Sequence, residues 1–322
     1  RNTKAERLSF STDVEKTIRN SDVIFIAVST PQSENGEADI SAVKAVAKTI
    51  GQNLNSRKVV CTKSTVPIGT GKLVTSIINE NNPEKMEFDY VSNPEFLREG
   101  SAVKDFLWPD RLVIGTKSDW GFEVMRDVYR PLYINETPIV HTTVETAELI
   151  KYASNAFLSL KISYINEISA LCEKVGADVH VVAKTMGSDG RISPKFLHPG
   201  PGFGGSCFPK DTSALVSMAQ NKNVPMRTIQ AAIETNAHQK KRMVKKLQAL
   251  TGGFSGLTIG VLGLAFKSKT DDVRESASLE MVGSLLKAGA QVKAYDPEAN
   301  TNFAELYPQI IDCKTWKEAV KD

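Results

Sequence analysis

The feature that most constrains the fold is an alternation of short apolar runs with segments of helical spacing. Residues 21–30, "SDVIFIAVST", and 58–65, "KVVCTKST", are apolar runs typical of strands buried on both faces of a parallel sheet. Residues 39–54 and 68–80 follow these runs and carry apolar side chains at helical spacing. Because the connections are short, the pattern predicts an α/β fold with a doubly wound parallel sheet.

A second strand–helix–strand pattern begins near residue 253. Residues 257–266, "LTIGVLGLAF", predict a buried strand, and a helical segment and the strand "QVKAYDP" follow it. We therefore expect a second α/β domain to begin there. Gly260 and Gly263 give only G-x-x-G, which is poor evidence for a dinucleotide site without the full G-x-G-x-x-G fingerprint.

Residues 142–175 contain neither glycine nor proline and predict one long helix between the two α/β domains. Thr142 with Glu145 matches a capping box at its start, and Gly176 fits its end. Such a helix is longer than most, so we expect it to link the domains or to pack against a second subunit. The predicted division is an N-terminal α/β domain (1–141), a central helical region (142–252) and the start of a C-terminal α/β domain (253–322).

Composition and charge argue against several classes of protein. The formal net charge is +3 and no block of like charges stands out, so we expect no nucleic-acid partner. No run approaches the roughly 20 apolar residues of a membrane helix, and no secretory signal is visible. The cysteines are scattered without C-x-x-C spacing, which predicts a cytoplasmic protein with free thiols and no metal site, and Cys61 and Cys172 lie in apolar segments typical of a core. Because the chain begins with arginine, we expect it to be a portion of a longer protein.

Residues 202–211, "GFGGSCFPKD", surround Cys207 with glycines. The glycines let the backbone approach a ligand, and Pro209 fits the first turn of a helix that begins beside the cysteine. The helix N-terminus and Lys210 both favour a thiolate at Cys207. Such a nucleophile could serve acyl transfer, thiol hydrolysis or aldehyde oxidation, and the local residues do not choose among them.

Polar residues also follow the predicted strands at their carboxyl ends, where ligands bind in doubly wound sheets. Residues 29–31, 63–67 and 92–100 are segments of this kind. On the long predicted helix, Lys151 and Asn155 are four residues apart and share a face. Taken alone, these charged and amide side chains are more typical of a solvated surface than of a site.

Five segments together resemble the UDP-glucose/GDP-mannose dehydrogenase family and occur in the order of that family. They are "KSTVPIGT" (63–70), "NPEFLREG" (93–100), "AELIKYASNAF" (147–157), "GFGGSCFPKD" (202–211) and "LGLAFKSKTDDVRES" (262–276). The segments span most of the chain and favour a member of the family that acts on UDP-glucose. The resemblance implies two Rossmann-like domains joined by the long helix, NAD as the cofactor, and a homodimer built on that helix.

The same resemblance implies a four-electron oxidation of UDP-glucose to UDP-glucuronate. Cys207 would attack the C6 aldehyde to give a thiohemiacetal, which becomes a thioester that water releases. Lys151 would stabilise developing oxyanions, and Asn155 would hold the C6 oxygen. Asp211 would position a water or take part in proton transfer. Thr65 and Glu95 would handle that water, with Glu95 as a possible base.

The resemblance also assigns contacts to the two ligands. For NAD they are Ser29, Thr30, Pro31, Ser64, Thr65, Glu99, Lys210 and Arg274. For the nucleotide sugar they are Glu95, Phe96, Leu97, Arg98, Glu99, Lys151, Asn155, Arg191, Phe196, Phe203, Gly204 and Lys267, with Arg191 reaching a neighbouring subunit.

The chain departs from the family pattern at its start. The family's strand, G-x-G-x-x-G and following helix would precede Arg1, so we expect the first domain to lack that portion here and the chain alone to bind NAD poorly. His198 stands where some relatives have a lysine. Three alternatives stay open: a dehydrogenase of GDP-mannose or a UDP-N-acetyl-hexosamine, a non-redox thiol acyltransferase or hydrolase, and a non-catalytic nucleotide-sugar-binding protein.

Overall fold

A computed structural model describes residues 2–33 and 36–321 of the chain. It has the predicted α/β fold and divides into two compact units, Arg1–Lys151 and Tyr152–Asp322. Each unit contains its own sheet, so the expectation of two α/β sheets with a long helix in the chain is confirmed.

The sheet of the first unit has the order β1-β2-β3-β4-β5. Its strands are β1 (Val23–Ile26), β2 (Lys58–Thr62), β3 (Phe88–Ser92), β4 (Leu112–Gly115) and β5 (Ile139–Thr142). Neighbouring strands run parallel except β3 and β4, which pair antiparallel through Ser92 and Gly115, so one pair departs from the wholly parallel sheet. Strand β2 is buried along its whole length, as predicted, because it lies between β1 and β3.

Strand β1 is more exposed than its apolar sequence predicts. It pairs only with β2 within the described sheet, and the side chain of Phe25 is exposed. The expectation that this strand is buried on both faces is therefore wrong, since an edge strand of the described sheet has only one neighbour to cover it.

Helices cover both faces of this sheet and build two apolar clusters. The helical elements are α1 (Val14–Arg19), α2 (Ser41–Asn53), α3 (Thr70–Glu80), α4 (Ala102–Leu107), α5 (Asp119–Val128) and a 3-10 helix (Arg130–Asn135). Because side chains alternate along a strand, Val60 packs with the cluster of α2 and α3, whereas Val59 and Cys61 pack with the cluster that includes Met125 of α5.

The long helix α6 (Val144–Val175) has 32 residues, and the boundary between the two units falls within it. It begins two residues later than the predicted segment. The Thr143 hydroxyl accepts a hydrogen bond from the Thr146 backbone N–H at 3.2 Å, so the predicted capping box of Thr142 and Glu145 is wrong by one position. Glu145 instead pairs with Lys72 at 3.2 Å.

The second unit contains a parallel three-stranded sheet of order β6-β7-β8. Its further elements are α7 (Val179–Gly187), α8 (Phe208–Gln220), α9 (Arg227–Thr251), β6 (Thr258–Leu262), α10 (Ala277–Lys287), β7 (Gln291–Tyr295), α11 (Asn300–Leu306), β8 (Ile311–Asp312) and α12 (Trp316–Ala319). The predicted strand β6 and helix α10 are present, but β6 is a sheet edge and buries only Val261 fully. Throughout residues 2–33 and 36–321, no helix has both the length and the apolar character that a bilayer crossing requires.

Candidate active site

Cys207 lies directly before α8, with Pro209 in the first turn of that helix, as the sequence predicts. Its thiol is exposed, whereas Cys61, Cys172 and Cys313 are buried, and all four are free. Burial raises the pKa of Cys61 to about 12, so that thiol stays protonated. An exposed thiol at a helix N-terminus is the one of the four that a ligand can reach.

The glycine loop before Cys207 is fixed by contacts that leave no room for larger side chains. A Cβ on Gly204 would collide with the backbone carbonyl of Glu275. Gly205 has a φ of +81°, which favours glycine, and its N–H donates to the carbonyl of Arg274 at 2.8 Å. The Asn236 side chain bonds both the N–H and the carbonyl of Phe203, at 2.7 and 3.0 Å. The loop is thus held rigidly in front of α8.

A buried carboxylate lies one turn after Cys207. Asp211 accepts a hydrogen bond from Asn155 Nδ2 at 2.6 Å and from Lys210 Nζ at 2.8 Å. Its own N–H donates to the Cys207 carbonyl at 2.8 Å. The position of Asp211 in the first turn of α8 suits a negative charge. The sequence-predicted residues Cys207, Lys210, Asp211 and Asn155 therefore form one cluster in the second unit.

A second charged cluster lies in the first unit. The buried Lys151 donates from Nζ to Glu95 Oε1 at 2.8 Å. The other oxygen of Glu95 accepts from the Leu97 N–H at 2.5 Å, in the loop after β3. The Phe96 ring lies beneath Lys151, with Nζ 5.6 Å from its centroid, and beneath the Arg111 guanidinium at 3.8 Å.

Sequence reasoning missed a polar cluster beneath this site. Lys63 donates to Asn93 Oδ1 at 2.9 Å and to the Tyr129 hydroxyl at 3.2 Å, and Asn93 donates to the carbonyl of Val113 at 2.7 Å. Burial lowers the pKa of Lys63. A lysine placed directly after a strand that is mostly apolar was the signal that could have revealed this cluster.

The loops after β1 and β2 are tied together at the carboxyl edge of the sheet. The Thr30 hydroxyl donates to the Thr65 carbonyl at 2.8 Å, and the Ser64 hydroxyl donates to the Val28 carbonyl at 2.6 Å. Ser29 and Pro31 are exposed beside them. A sheet edge that carries several hydroxyl side chains fits the binding of a dinucleotide, which occupies this edge in doubly wound sheets.

The remaining predicted ligand contacts are spread over both units. Arg98 is bound to Asp105 at 2.6 Å, and the guanidinium lowers the pKa of Asp105 to about 2, while Glu99 lies half-buried beside it. In the second unit, Arg191 is exposed and pairs with Asp189 at 2.5 Å.

Three more predicted contacts lie in the second unit. Arg274 pairs with Asp272 at 2.6 Å. Lys267 lies over the Phe266 ring at 5.2 Å, and the Phe196 ring is tilted against Phe208 at 6.0 Å.

Asp296, at the end of β7, uses its carboxylate within its own unit. It accepts hydrogen bonds from the backbone N–H groups of Leu264, Ala265, Glu298 and Ala299, at 2.7 to 3.1 Å. Burial acts to raise the pKa of Asp296, but these four donors hold it below the ordinary value. Asp296 is therefore already hydrogen-bonded to backbone N–H groups of the protein itself.

Among the residues that the structure describes, no cluster of three or more histidine, cysteine, aspartate or glutamate side chains could hold a metal ion.

Three family models match the chain in succession. Residues 1–133 match the NAD binding domain of the UDP-glucose/GDP-mannose dehydrogenase family, 145–238 its central domain and 260–322 its UDP binding domain.

Individual relatives agree with these models. The chain is 52% identical over 316 residues to a UDP-glucose 6-dehydrogenase of Rhizobium meliloti, covering 97% of this chain and 72% of the relative. It is 51% identical over 315 residues to the UDP-glucose 6-dehydrogenase TuaD of Bacillus subtilis, covering 98% of this chain and 68% of the relative. A solved structure of a UDP-glucose dehydrogenase from Pyrobaculum islandicum is similar with a TM-score of 0.95 at 38% identity, covering 98% of this chain and 74% of that one.

Proposed function

The chain belongs to the UDP-glucose/GDP-mannose dehydrogenase family, and on that premise we propose that it oxidises UDP-glucose to UDP-glucuronate with NAD. The observation that carries the proposal is the exposed Cys207 thiol, fixed by a glycine loop at the start of α8 beside the buried Asp211. The names of relatives at 52% and 51% identity support UDP-glucose as the substrate.

Most of the assigned NAD contacts lie in the first unit, whose sheet edge carries the hydroxyl loops described above. Ser29, Thr30, Pro31, Ser64 and Thr65 would hold NAD there, and Glu99, Lys210 and Arg274 are the further assigned contacts. When bound, NAD supplies the acceptor for the hydride that leaves C6 in each of the two oxidations.

Cys207 makes the second oxidation possible by binding the aldehyde covalently. Its thiolate sulfur forms a bond to the aldehyde carbon, and the carbonyl electron pair moves to oxygen, which gives a thiohemiacetal. Loss of the C6 hydride turns this into a thioester. Water then adds to the thioester carbon, and the carbon–sulfur bond breaks to release the carboxylate and regenerate the thiol.

The surrounding residues stabilise charge and move protons in this scheme. Lys151 is a buried cation suited to a developing oxyanion, and Glu95, which it binds, is suited to take a proton from water. Asn155 is oriented by Asp211 to hold the C6 oxygen. In the second step, Asp211 positions a water molecule or takes part in proton transfer. Thr65 is assigned to the handling of the same water.

The nucleotide end of UDP-glucose is assigned to contacts in several segments. One of these segments, residues 260–322, matches the model of the family's UDP binding domain. The proposed contacts are Phe96, Leu97, Arg98, Glu99, Arg191, Phe196, Phe203, Gly204 and Lys267, in addition to Glu95, Lys151 and Asn155. The immobilised backbone of Phe203 and Gly204 supports this assignment, because a rigid loop binds a ligand with little loss of entropy.

We further propose a cytoplasmic homodimer with the domains 1–141, 142–252 and 253–322. The free cysteines support a reducing compartment. Exposed apolar side chains along α6, among them Phe157, Leu171 and Val175, support packing of that helix against a second subunit.

A substrate panel tests the proposed function. The full-length protein is supplied with NAD and, separately, UDP-glucose, GDP-mannose or a UDP-N-acetyl-hexosamine, and kcat/KM is measured from NADH formation. The proposal predicts the highest kcat/KM for UDP-glucose. A higher value for another sugar would reassign the substrate, and the absence of NADH with every sugar would favour a non-redox thiol enzyme or a binding protein.

A further inference from the structure

Glu148 is a buried carboxylate on α6 to which the proposed function assigns no role. Its two oxygens accept hydrogen bonds from two backbone N–H groups of a distant segment. Oε2 lies 2.6 Å from the N of Gly69, and Oε1 lies 2.8 Å from the N of Gly71. A buried side chain that satisfies two donors at once fixes the segment to which they belong.

The segment needs this partner because helix α3 cannot cap itself. Its N-cap residue is Gly69, which has a φ of +95° and no side chain to accept a hydrogen bond. The first turn of α3 contains no acidic residue. Glu148 therefore supplies, from 77 and 79 positions along the chain, the negative charge and acceptors that a helix N-terminus requires.

The loop that leads into α3 carries proposed functional residues. Ser64 and Thr65 lie in it, and its first part is tied to the end of β1 by the bonds from Ser64 to Val28 and from Thr30 to Thr65. Glu148 holds the other end of the same loop. The loop is thus anchored on both sides of Thr65, at the sheet and at α6.

Glu148 also lies next to the site on its own helix. Lys151 is three residues further on and therefore neighbours it on the helix surface. Lys151 binds Glu95 in the loop after β3, while Glu148 binds the loop after β2. One turn of α6 thus holds two adjacent loops of the sheet edge through two side chains.

We propose that Glu148 is a positioning residue that holds the Ser64–Thr65 segment in register with Lys151 and Glu95. The roles of Thr65, Lys151 and Glu95 rest on the proposed function, whereas the tie itself rests on the two hydrogen bonds to the start of α3.

The tie depends on the charge of the carboxylate. Burial raises the pKa of Glu148 to about 7, against the opposing effect of the Gly69 and Gly71 N–H groups. The ionisable groups around it are Glu145 on α6, Lys72 on α3 and Tyr90 on β3. When Glu148 is ionised, both oxygens accept; when it is protonated, one oxygen becomes a donor that faces an N–H. The loop is therefore held less firmly below the pKa than above it.

Glu148→Gln in the full-length protein tests the proposal, because the amide keeps the shape but can accept only one of the two bonds. We expect kcat with UDP-glucose and NAD to fall by about 10- to 100-fold, as a small displacement of a catalytic group does. We expect the KM for UDP-glucose to change little, and the dependence of kcat on pH around 7 to weaken. The matched control is Glu167→Gln, which alters an exposed glutamate further along the same helix and leaves kcat unchanged.

Hydrogen exchange gives a readout that does not depend on activity. In the protein without ligands, Glu148→Gln should speed exchange of the amides in residues 63–71, and Glu167→Gln should not. Unchanged exchange in this segment, or a kcat equal to that of the wild type, would overturn the proposal.

Two further outcomes are also decisive. If the wild type forms no NADH from UDP-glucose, the proposed function fails, and the exchange of residues 63–71 alone decides whether the tie exists. If Glu148→Gln does not fold, wild-type exchange at two pH values decides it. The two N–H bonds by themselves lower the pKa of Glu148, so a local opening that breaks them and leaves the carboxylate buried is easier when Glu148 is protonated. After correction for intrinsic rates, protection of Gly69 and Gly71 against such local opening should therefore be greater at pH 8 than at pH 6, and equal protection would refute the tie.

Discussion

A lysine–carboxylate pair lies among the candidate catalytic residues of each unit, but the two pairs are buried in opposite ways. In the first unit, the side chain of Lys151 is 4% exposed and that of Glu95 is 24% exposed. In the second unit, the carboxylate is the buried member, since Asp211 is 1% exposed and Lys210 is 16% exposed. The distance between nitrogen and oxygen is 2.8 Å in both pairs.

The difference in exposure gives each pair one charge that is fixed and one that is exchangeable, meaning that it can leave its partner for solvent or a ligand. A buried ion cannot recover its hydration and therefore keeps its place, whereas its more exposed partner can turn toward solvent or a ligand. The first unit thus has a fixed cation, Lys151, and an exchangeable base, Glu95. The second has a fixed anion, Asp211, which orients Asn155, and an exchangeable cation, Lys210, that is free to meet an anionic ligand.

Removal of the fixed cation should have the largest effect. Lys151→Met should lower kcat for UDP-glucose oxidation by about 10²- to 10³-fold, the usual cost of losing one group that stabilises an oxyanion. Steady-state kinetics would measure this, with Lys174→Met at an exposed position of the same helix as the control. A kcat within a few-fold of the wild type would show that Lys151 holds Glu95 without acting on the substrate.

The free energy of unfolding should distinguish Glu95 from Lys210, the more exposed member of each pair. Glu95→Ala leaves Lys151 buried without its carboxylate and should lower the free energy of unfolding by about 3–5 kcal/mol. Lys210→Ala leaves Asp211 with the hydrogen bond from Asn155, so the loss should be only about 1 kcal/mol. Urea denaturation of both variants would measure the difference, and equal losses would contradict the proposed asymmetry.

The pH dependence of stability should also differ between the units, because their other buried carboxylates have pKa values shifted in opposite directions. The pKa of Glu148 is raised to about 7, so its contribution to stability is full below its ordinary pKa and is lost as pH rises through 7. The loss amounts to about 3 kcal/mol. The pKa of Asp296 is lowered, so its contribution is present above the ordinary pKa and is lost as pH falls through the shifted value.

Denaturation of Glu148→Gln and Asp296→Asn across a pH series would measure these opposite trends. Relative to the wild type, Glu148→Gln should gain stability between pH 5 and pH 8. Asp296→Asn should be most destabilised at neutral pH and approach the wild type in acid. Trends of the same sign in both variants would contradict the account.

The last comparison concerns the rigid loop that precedes the charged pair of the second unit. Gly204→Ala should cost about 1–3 kcal/mol, because its Cβ would meet the carbonyl of Glu275 and force the loop to move. Gly200→Ala is the matched control, since nothing lies within 4 Å of its Cβ. If both variants retain the wild-type melting temperature, the loop is not held as tightly as the contacts indicate.

Much of the fold was predictable because it depends on local patterns. The fully buried strand β2 and the uninterrupted helix α6 were both visible as runs in the sequence. The start of α6 was harder to predict, because Thr142 and Thr143 are equally good caps by residue type and the structure uses Thr143. The exposure of Phe25 was not predictable, because it depends on which strand becomes an edge.

The structural setting of Cys207 was predictable from the sequence, but the hydrogen bonds among the neighbouring polar side chains were not. The glycines, proline and lysine around Cys207 indicated a reactive thiol at a helix start, and the structure places the thiol there. The bond between Asn155 and Asp211 joins residues 56 positions apart, and that between Glu148 and Gly71 joins residues 77 apart. No local spacing encodes such contacts, since they arise only when the chain folds.

If Cys207 holds one sugar through two oxidations, the ratio of NADH formed to UDP-glucose consumed must reflect it. We expect two NADH for each UDP-glucose in the full-length wild type, with UDP-glucuronate as the product. In Cys207→Ser it predicts no UDP-glucuronate and at most one NADH per sugar, because an alcohol cannot form the thioester. Formation of UDP-glucuronate by Cys207→Ser at the wild-type rate would contradict the covalent route.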